Sequence, residues 1–332
     1  MDLRFQQLNH WLLTACQLTS CRLEPMAGDA SFRRYYRVWQ DEQTFVAMDA
    51  PPARETNTRA LVTLTNVLAD AGLCVPEVIV SDIEQGFLLL TDFGDRVYLP
   101  ALTTANADEL YGNALSALSI LQACEHKNLP AFSKEFMFKE LQNFKEWFLL
   151  THLKLNLSSA TEQMLENFFY FLAEECASQP QVFMHRDYQS ANLMVLPDAQ
   201  VGILDFQDAF SGPLTYDLVS LLRDCYIVWP PASVTRWALQ YKASLGPLAD
   251  ISDEVFIRWF DIMGMQRHLK ALLTFSRKYQ RDANANYLQH IPRTINYVLA
   301  VAANYPQGVA FHQFLTNTVV PQLAQVTPLC VE

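Results

Sequence analysis

The sequence predicts an α+β fold in two lobes: a small β-rich N-terminal lobe, then a larger helical lobe with one embedded hairpin. Three observations carry this expectation. Aromatic and β-branched runs concentrate in residues 31–48 and 76–91. From about residue 105 onward, apolar residues recur at helical spacing. One segment, 185–208, interrupts that spacing with two short apolar runs around a turn. The length of 332 residues also exceeds one ordinary core.

Residues 1–20 read as a short amphipathic helix. The run SFRRYYRVWQDEQTFVAM, residues 31–48, has two strand-like stretches around the polar tract 40–43 and reads as a hairpin. Residues 55–71 return to helical spacing, with Leu61, Leu64, Leu68 and Ala71 on one face. Residues 76–80 and 87–91 read as further strands, and the first lobe is expected to end near residue 95. The second lobe, 96–332, is then mostly helical. Met137, Leu141, Phe144 and Phe148 share one helix face, and similar stripes recur at 161–176, 215–228, 233–244 and 253–278. The apolar runs 193–196 and 201–206 flank the turn 197–200 as a hairpin within that lobe. No internal repeat or low-complexity tract is present.

Composition narrows the function classes. Hydrophobic residues make up 51% of the chain, including 21 Phe, enough for a sizeable interior. Only 18% are charged, which argues against disorder. The formal net charge of −11 repels polyanions, so neither nucleic acid nor an anionic membrane is an expected partner. A nucleotide remains compatible, because a metal ion and a few fixed cations can neutralise phosphates locally. The seven cysteines are scattered and include no CxxC pair, so a disulfide framework and a zinc ribbon are not expected. The first residues lack a long apolar core and a small-residue cleavage site, and no run reaches ~18 apolar residues. A monomer in the reducing cytoplasm is the expectation.

The chemistry concentrates in His185-Arg186-Asp187-Tyr188-Gln189-Ser190-Ala191-Asn192, which fits HRDxxxxN. Asp205 follows Asp187 by eighteen residues, at the end of the apolar stretch Ile203-Leu204. Phosphoryl transfer needs a base near the acceptor hydroxyl and hard oxygen ligands that hold magnesium against the ATP phosphates. Asp187 fits the base, and Asn192 and Asp205 fit the metal ligands. His185 fits a brace for the loop. A single Asp in a loop is ordinarily a turn former or a solvated charge. The full eight-residue pattern, with a second Asp at this spacing beyond a hairpin, points instead to an ATP- and magnesium-dependent kinase.

These residues resemble the aminoglycoside phosphotransferase-like family of small-molecule kinases, over about residues 24–293. After Asp205 the chain reads Phe206-Gln207-Asp208 and then Ser211-Gly212-Pro213-Leu214-Thr215-Tyr216-Asp217-Leu218, where protein kinases have Phe-Gly. The resemblance implies a two-lobed protein-kinase-like fold. It implies that Asp217 starts a helix and steadies the catalytic loop, and Thr215 or Asp217 also reads independently as an N-cap. Residues 26–36, MAGDASFRRYY, stand where a phosphate-covering loop belongs, with Gly28, Ser31 and the following amides as a small nest. The family's strand lysine is missing from VAMDAPP, residues 46–52. Arg33 or Arg34 is the candidate replacement, the plain alternative being two arginines that solvate a strand edge. FLLLTDFGD, residues 87–95, matches the hinge, with Thr91, Asp92 and Phe93 offered to adenine through the main chain.

GDASFRRYYRV, VAMDAPP, HRDYQSANLMV and LDFQDAFSGPLTYDLVSLLRDCY together resemble the bacterial anomeric kinases of cell-wall amino sugars. That resemblance implies phosphorylation of the 1-hydroxyl of N-acetylmuramate or N-acetylglucosamine in peptidoglycan recycling. Candidates for the sugar pocket are Gln207, Asp208, Arg223, Asp224, Tyr226, Gln266, Arg267 and His268. The alternatives are another acceptor (aminoglycoside, choline, homoserine or methylthioribose) and, from the missing lysine, a nucleotide-binding regulator without catalysis.

Overall fold

The computed structural model describes residues 2–18, 21–26, 32–54 and 57–326. Packing divides the chain into two compact units. Unit 1 contains residues 1–125 and 190–209; unit 2 contains residues 126–189 and 210–332. The expected lobe division at residue 95 follows chain order. The packing groups the embedded hairpin and the helix after residue 106 with the sheet.

Unit 1 is built on a five-stranded antiparallel sheet of order β1-β2-β3-β5-β4. Its strands are β1 (Arg22–Pro25), β2 (Arg34–Gln40), β3 (Gln43–Asp49), β4 (Val78–Asp82) and β5 (Phe87–Thr91). The β2–β3 hairpin and β5 lie where the alternating pattern put them. β4 starts two residues later than expected, and β1 carries no pattern of its own in four residues. Helix α1 (Leu3–Thr14) is shorter than the expected 1–20, because the chain turns back so that Leu18 joins Leu8, Trp11 and Leu12 against Tyr36, Val38, Phe87 and Leu89. Helix α2 (Thr58–Asp70) buries Leu61, Leu64 and Leu68. A short α3 (Tyr98–Ala101) and α4 (Ala107–Gln122) follow. The hairpin of β7 (Leu193–Val195) and β8 (Val201–Ile203) joins this unit: Ile203 N–H donates to Cys74 O at 2.8 Å and Val195 N–H to Arg96 O at 2.7 Å. Gly202 lies under the Phe93 ring, where an added Cβ would come within 2.7 Å of a ring carbon, so only glycine fits.

Unit 2 assembles helices around α9 (Asp253–Asp282), a 30-residue helix buried along most of its length. Against it pack α5 (Lys134–Phe144) with its π-helical continuation Lys145–His152, α6 (Ser159–Ala177), α7 (Tyr216–Leu222), α8 (Pro231–Ala243) and α10 (Ile291–Ala302). Helices α11 (Val309–Phe314) and α12 (Val320–Val326) follow. Met137, Leu141, Phe144 and Phe148 are all buried, as their spacing requires. The stripe at 215–228 is helical only to Leu222; Arg223 ends the helix with φ −116°, ψ 49°. A two-stranded ribbon, β6 (Gln181–Met184) with β9 (Phe210–Pro213), carries the chain to the HRDYQSAN segment. Among the described residues no helix is long and apolar enough to cross a membrane.

Candidate active site

The boundary between the units falls between Gln189 and Ser190, inside the HRDYQSAN segment. Asp187 therefore belongs to unit 2, and Asn192 and Asp205 belong to unit 1.

In unit 2 the segment leaves β6 and turns sharply at Arg186, whose φ of +79° lies in the left-handed region that non-glycine residues rarely adopt. Buried Asp217, in the first turn of α7, holds the turn. Its Oδ2 accepts the N–H of His185 at 2.7 Å and its Oδ1 accepts that of Arg186 at 2.9 Å. Burial pushes its carboxyl up to about 7, against the pull of those two hydrogen bonds. His185 is fully buried, and its Nδ1 accepts the Asp187 N–H at 3.2 Å. Both residues brace the loop in this geometry. The charge of Arg186 is met by Glu140, 3.3 Å away.

Asp187 itself stays partly exposed, its side chain at 33%. Lys270, on α9, places Nζ 3.3 Å from Oδ1. Burial alone would raise the Asp187 carboxyl, but Lys270 foremost, then Arg267 and Arg186, bring it down to about 2. Arg267 is buried and spans three partners: Oγ of Ser220 at 3.2 Å, Sγ of Cys225 at 3.5 Å and Oε1 of Gln189 at 3.2 Å. It ties α9 and α7 to the HRDYQSAN segment. Lys270 was not among the residues singled out from sequence, although it stands one helical turn beyond Gln266. Glu140 also escaped notice; its signal is a carboxylate set beside the apolar stripe of α5.

The other unit 2 candidates divide. Gln266 is fully buried and donates to Oε2 of Glu140 at 3.1 Å. His268 turns away from this face. Its Nε2 lies 2.9 Å from the Arg223 carbonyl, its ring stacks on Tyr297 at 4.8 Å, and burial holds it down to about 3, so it is neutral. These are packing contacts with α10 and with the end of α7. Arg223 pairs with Asp261 at 2.6 Å and lies over the Phe260 ring. Asp224 caps the Tyr226 N–H at 3.0 Å, and the Tyr226 ring meets His290 edge-on at 4.8 Å.

In unit 1, Asp205 leaves the hairpin with φ +64°, a second left-handed residue, after Arg186, beside the candidate site residues. Its carboxylate is 46% exposed and lies 3.6 Å from Nη1 of Arg33. Gln207 Nε2 donates to Asp205 Oδ1 at 2.6 Å, and Asp208 lies 4.0 Å from Arg33. Gln207 and Asp208, expected in the sugar pocket, thus sit beside the metal-ligand candidate and the arginine. Asp208 also accepts from Asn57. Asn192 precedes β7, and its carbonyl accepts the Leu204 N–H at 3.0 Å. The donor set of one partly exposed carboxylate and one amide suits magnesium, which takes few protein oxygens and completes its shell with phosphate and water.

The two arginines separate. Arg33 is buried and faces Asp205 and Asp208. Arg34 donates through Nε to Asp49 at 3.1 Å and pairs with Asp2, while Arg4 holds the other oxygen of Asp49. Asp49 is fully buried, so Arg34 completes a structural cluster that ties α1 to the sheet. At the hinge, Thr91 is occupied: its Oγ1 accepts the Glu77 N–H at 2.9 Å and its own N–H donates to Glu77 O at 3.1 Å. The Asp92 carboxylate is taken by Arg37 at 2.6 Å. Gly28 and Ser31 lie outside the described residues.

Residues 22–258 match the phosphotransferase enzyme family. The chain belongs to that family. The phosphotransferase is 39% identical to the N-acetylmuramate/N-acetylglucosamine kinase of Pseudomonas aeruginosa, over 98% of this chain and 99% of that one. It is 34% identical to the kinase of the same name from Neisseria meningitidis serogroup B, over 94% and 95% of the two chains. Its fold is similar to that of the ADP-bound aminoglycoside phosphotransferase APH(2'')-Ib, with TM-score 0.61 and 15% identity over 90% of this chain and 98% of that one. It is also similar to choline kinase LicA from Streptococcus pneumoniae, with TM-score 0.62 and 13% identity over 89% and 99%. The two-lobed kinase fold expected from the sequence is therefore the fold of this phosphotransferase.

Proposed function

We propose that this phosphotransferase transfers the γ-phosphoryl group of ATP to the anomeric hydroxyl of N-acetylmuramate or N-acetylglucosamine, releasing the sugar 1-phosphate and ADP. The observation that carries the chemistry is the ionised Asp187, held by Lys270 at 3.3 Å on a loop braced by Asp217. The acceptor class rests on the near-full-length likeness to the two amino-sugar kinases.

Asp187 accepts the hydrogen of the sugar 1-hydroxyl and aims its oxygen at the γ-phosphorus. A strongly acidic carboxyl suffices, because the phosphoryl transition state is loose and the proton leaves late. As the new O–P bond forms, the bond from the γ-phosphorus to the β,γ-bridging oxygen breaks, its electron pair leaves with ADP, and Asp187 holds the proton. Magnesium held by Asn192 and Asp205 would neutralise the phosphate charge. Arg33 supplies fixed positive charge beside Asp205, the role left open by the missing strand lysine. The main chain at Asp92 and Phe93 offers the adenine contact. In peptidoglycan recycling such a step activates a free cell-wall sugar.

The test is ³¹P NMR of the protein with ATP and magnesium against amino sugars, aminoglycosides and amino alcohols. A sugar 1-phosphate resonance from either N-acetyl sugar is the expected result. ATP left intact with both sugars would overturn the reading.

A further inference from the structure

Gln266, Lys270 and Arg277 stand at i, i+4 and i+11 on α9, which keeps all three on one side of the helix. The first two are engaged with the catalytic neighbourhood, Gln266 with Glu140 at 3.1 Å and Lys270 with Asp187 at 3.3 Å. Arg277 lies seven residues past Lys270, roughly 10 Å along the axis at ~1.5 Å per residue.

Arg277 is a half-buried guanidinium whose Nε has no hydrogen-bond partner among the described residues. Burial, Arg281 and Arg186 all work against its charge, and only Asp282 and Glu140 favour it. Both of those acids are committed elsewhere. Glu140 takes Arg186 at 3.3 Å and Gln266 at 3.1 Å, while Asp282 takes Arg281 at 2.7 Å and Lys278 at 3.6 Å. A guanidinium withdrawn from water normally finds a carboxylate or phosphate, because an unmet donor costs its full desolvation. Two further buried atoms of this cluster, Tyr216 Oη and Gln266 Oε1, also lack a partner among the described residues. Tyr216 is close enough to Lys270 and Glu140 to feel their charges. The cluster thus holds one surplus cation and two unmet polar groups on the side of α9 that reaches Asp187.

We propose that Arg277 binds the lactyl carboxylate of N-acetylmuramate and sets the preference for that sugar over uncharged N-acetylglucosamine. The proposal rests on the amino-sugar reading above. With the 1-hydroxyl at Asp187, the lactyl ether on the far side of the sugar ring extends along α9 toward Arg277. Planar, bidentate pairing with a carboxylate is what a guanidinium does best.

The experiment compares kcat/KM for N-acetylmuramate, its methyl ester and N-acetylglucosamine in the wild type, Arg277→Met and Arg277→Lys. In Arg277→Met the ratio of N-acetylmuramate to N-acetylglucosamine should fall roughly ten- to hundredfold, the loss expected of a charged hydrogen bond. Lys should restore part of it. The ester-to-N-acetylglucosamine ratio should be the same in wild type and Met variant. If the Met variant does not fold, a ratio in the Lys variant equal to wild type overturns the proposal. An acid-to-neutral ratio equal across all three proteins overturns it, as does a loss that appears in the KM for ATP instead, which would assign Arg277 to a phosphate. If the wild type phosphorylates neither sugar, the amino-sugar reading itself has failed; an active wild type with an unmoved ratio sinks only the role of Arg277.

Discussion

Nζ of Lys270 stands 3.3 Å from Oδ1 of Asp187, a contact made across 83 residues of sequence. It is the leading contact among those that hold this carboxyl down to about 2 against the upward push of burial. In the proposed reaction Asp187 acts when ionised, so activity is present above its pKa and lost below it. Lys270→Met removes the leading stabiliser, so the acid limb of the kcat/KM profile should move to higher pH. Lys270→Arg should keep the limb near its original place. In profiles from pH 4 to 8 the wild type and the Arg variant should show no fall from Asp187, whereas the Met variant should lose activity toward pH 4. An acid limb in the Met variant that overlays wild type would show that Lys270 does not control Asp187.

Asp187→Asn should bind nucleotide much as wild type does, because the residue lies in the unit that lacks Asn192, Asp205 and Arg33. Its kcat should fall roughly 10²–10⁴-fold, the range for losing an acid–base group. Single-turnover kinetics alongside nucleotide titration separates the two effects. Near-normal turnover would remove Asp187 from the reaction.

Arg33 and Arg34 should part company. Arg33→Ala should raise the KM for ATP tenfold or more, since a charged hydrogen bond is worth about 1.5–3 kcal/mol. Arg34→Ala leaves buried Asp49 with Arg4 as its remaining partner, so its cost should appear in stability, at roughly 1–3 kcal/mol, with ATP affinity little changed. Steady-state kinetics and denaturant unfolding of both variants decide. Equal effects on KM would show that the two are not separated in function.

Asp217 gives a pH signature in stability. Its folded-state pKa is raised to about 7 from the ordinary carboxylate value of 3.8, so between these values the folded protein binds more protons than the unfolded chain. The stability from this group is complete below the unfolded pKa and is lost as pH rises toward 7, with a slope of up to about 1.4 kcal/mol per pH unit. Asp217→Asn should be less stable overall, because an amide cannot accept both N–H groups, and its stability should depend less on pH between 4 and 7. Unfolding curves across that range provide the measurement. An unchanged slope would mean that Asp217 does not titrate there.

The sequence by itself determined the order of elements and the candidate reacting groups that lie close along the chain. HRDYQSAN and Asp205 are legible because the proposed base, the amide and the second carboxylate stand at fixed short spacings, and a hairpin pattern brackets the last two. The β2–β3 hairpin and the helical stripes are legible for the same reason: their periodicity is local. Only the tertiary structure decided who pairs with whom. Lys270, Glu140 and Arg277 are unremarkable in a helical pattern, and become significant once α9 and α5 pack beside the catalytic segment. His268 neighbours Arg267 in sequence, yet one turns toward Tyr297 and the other toward Gln189. Arg33 and Arg34 are adjacent as well, but successive side chains entering a strand point to opposite faces. Which face meets Asp205 and which meets Asp49 depends on how the sheet packs. Spacing along a chain records what is near in sequence, whereas an ion pair across 83 residues exists only after the core has fixed the backbone on both sides of it.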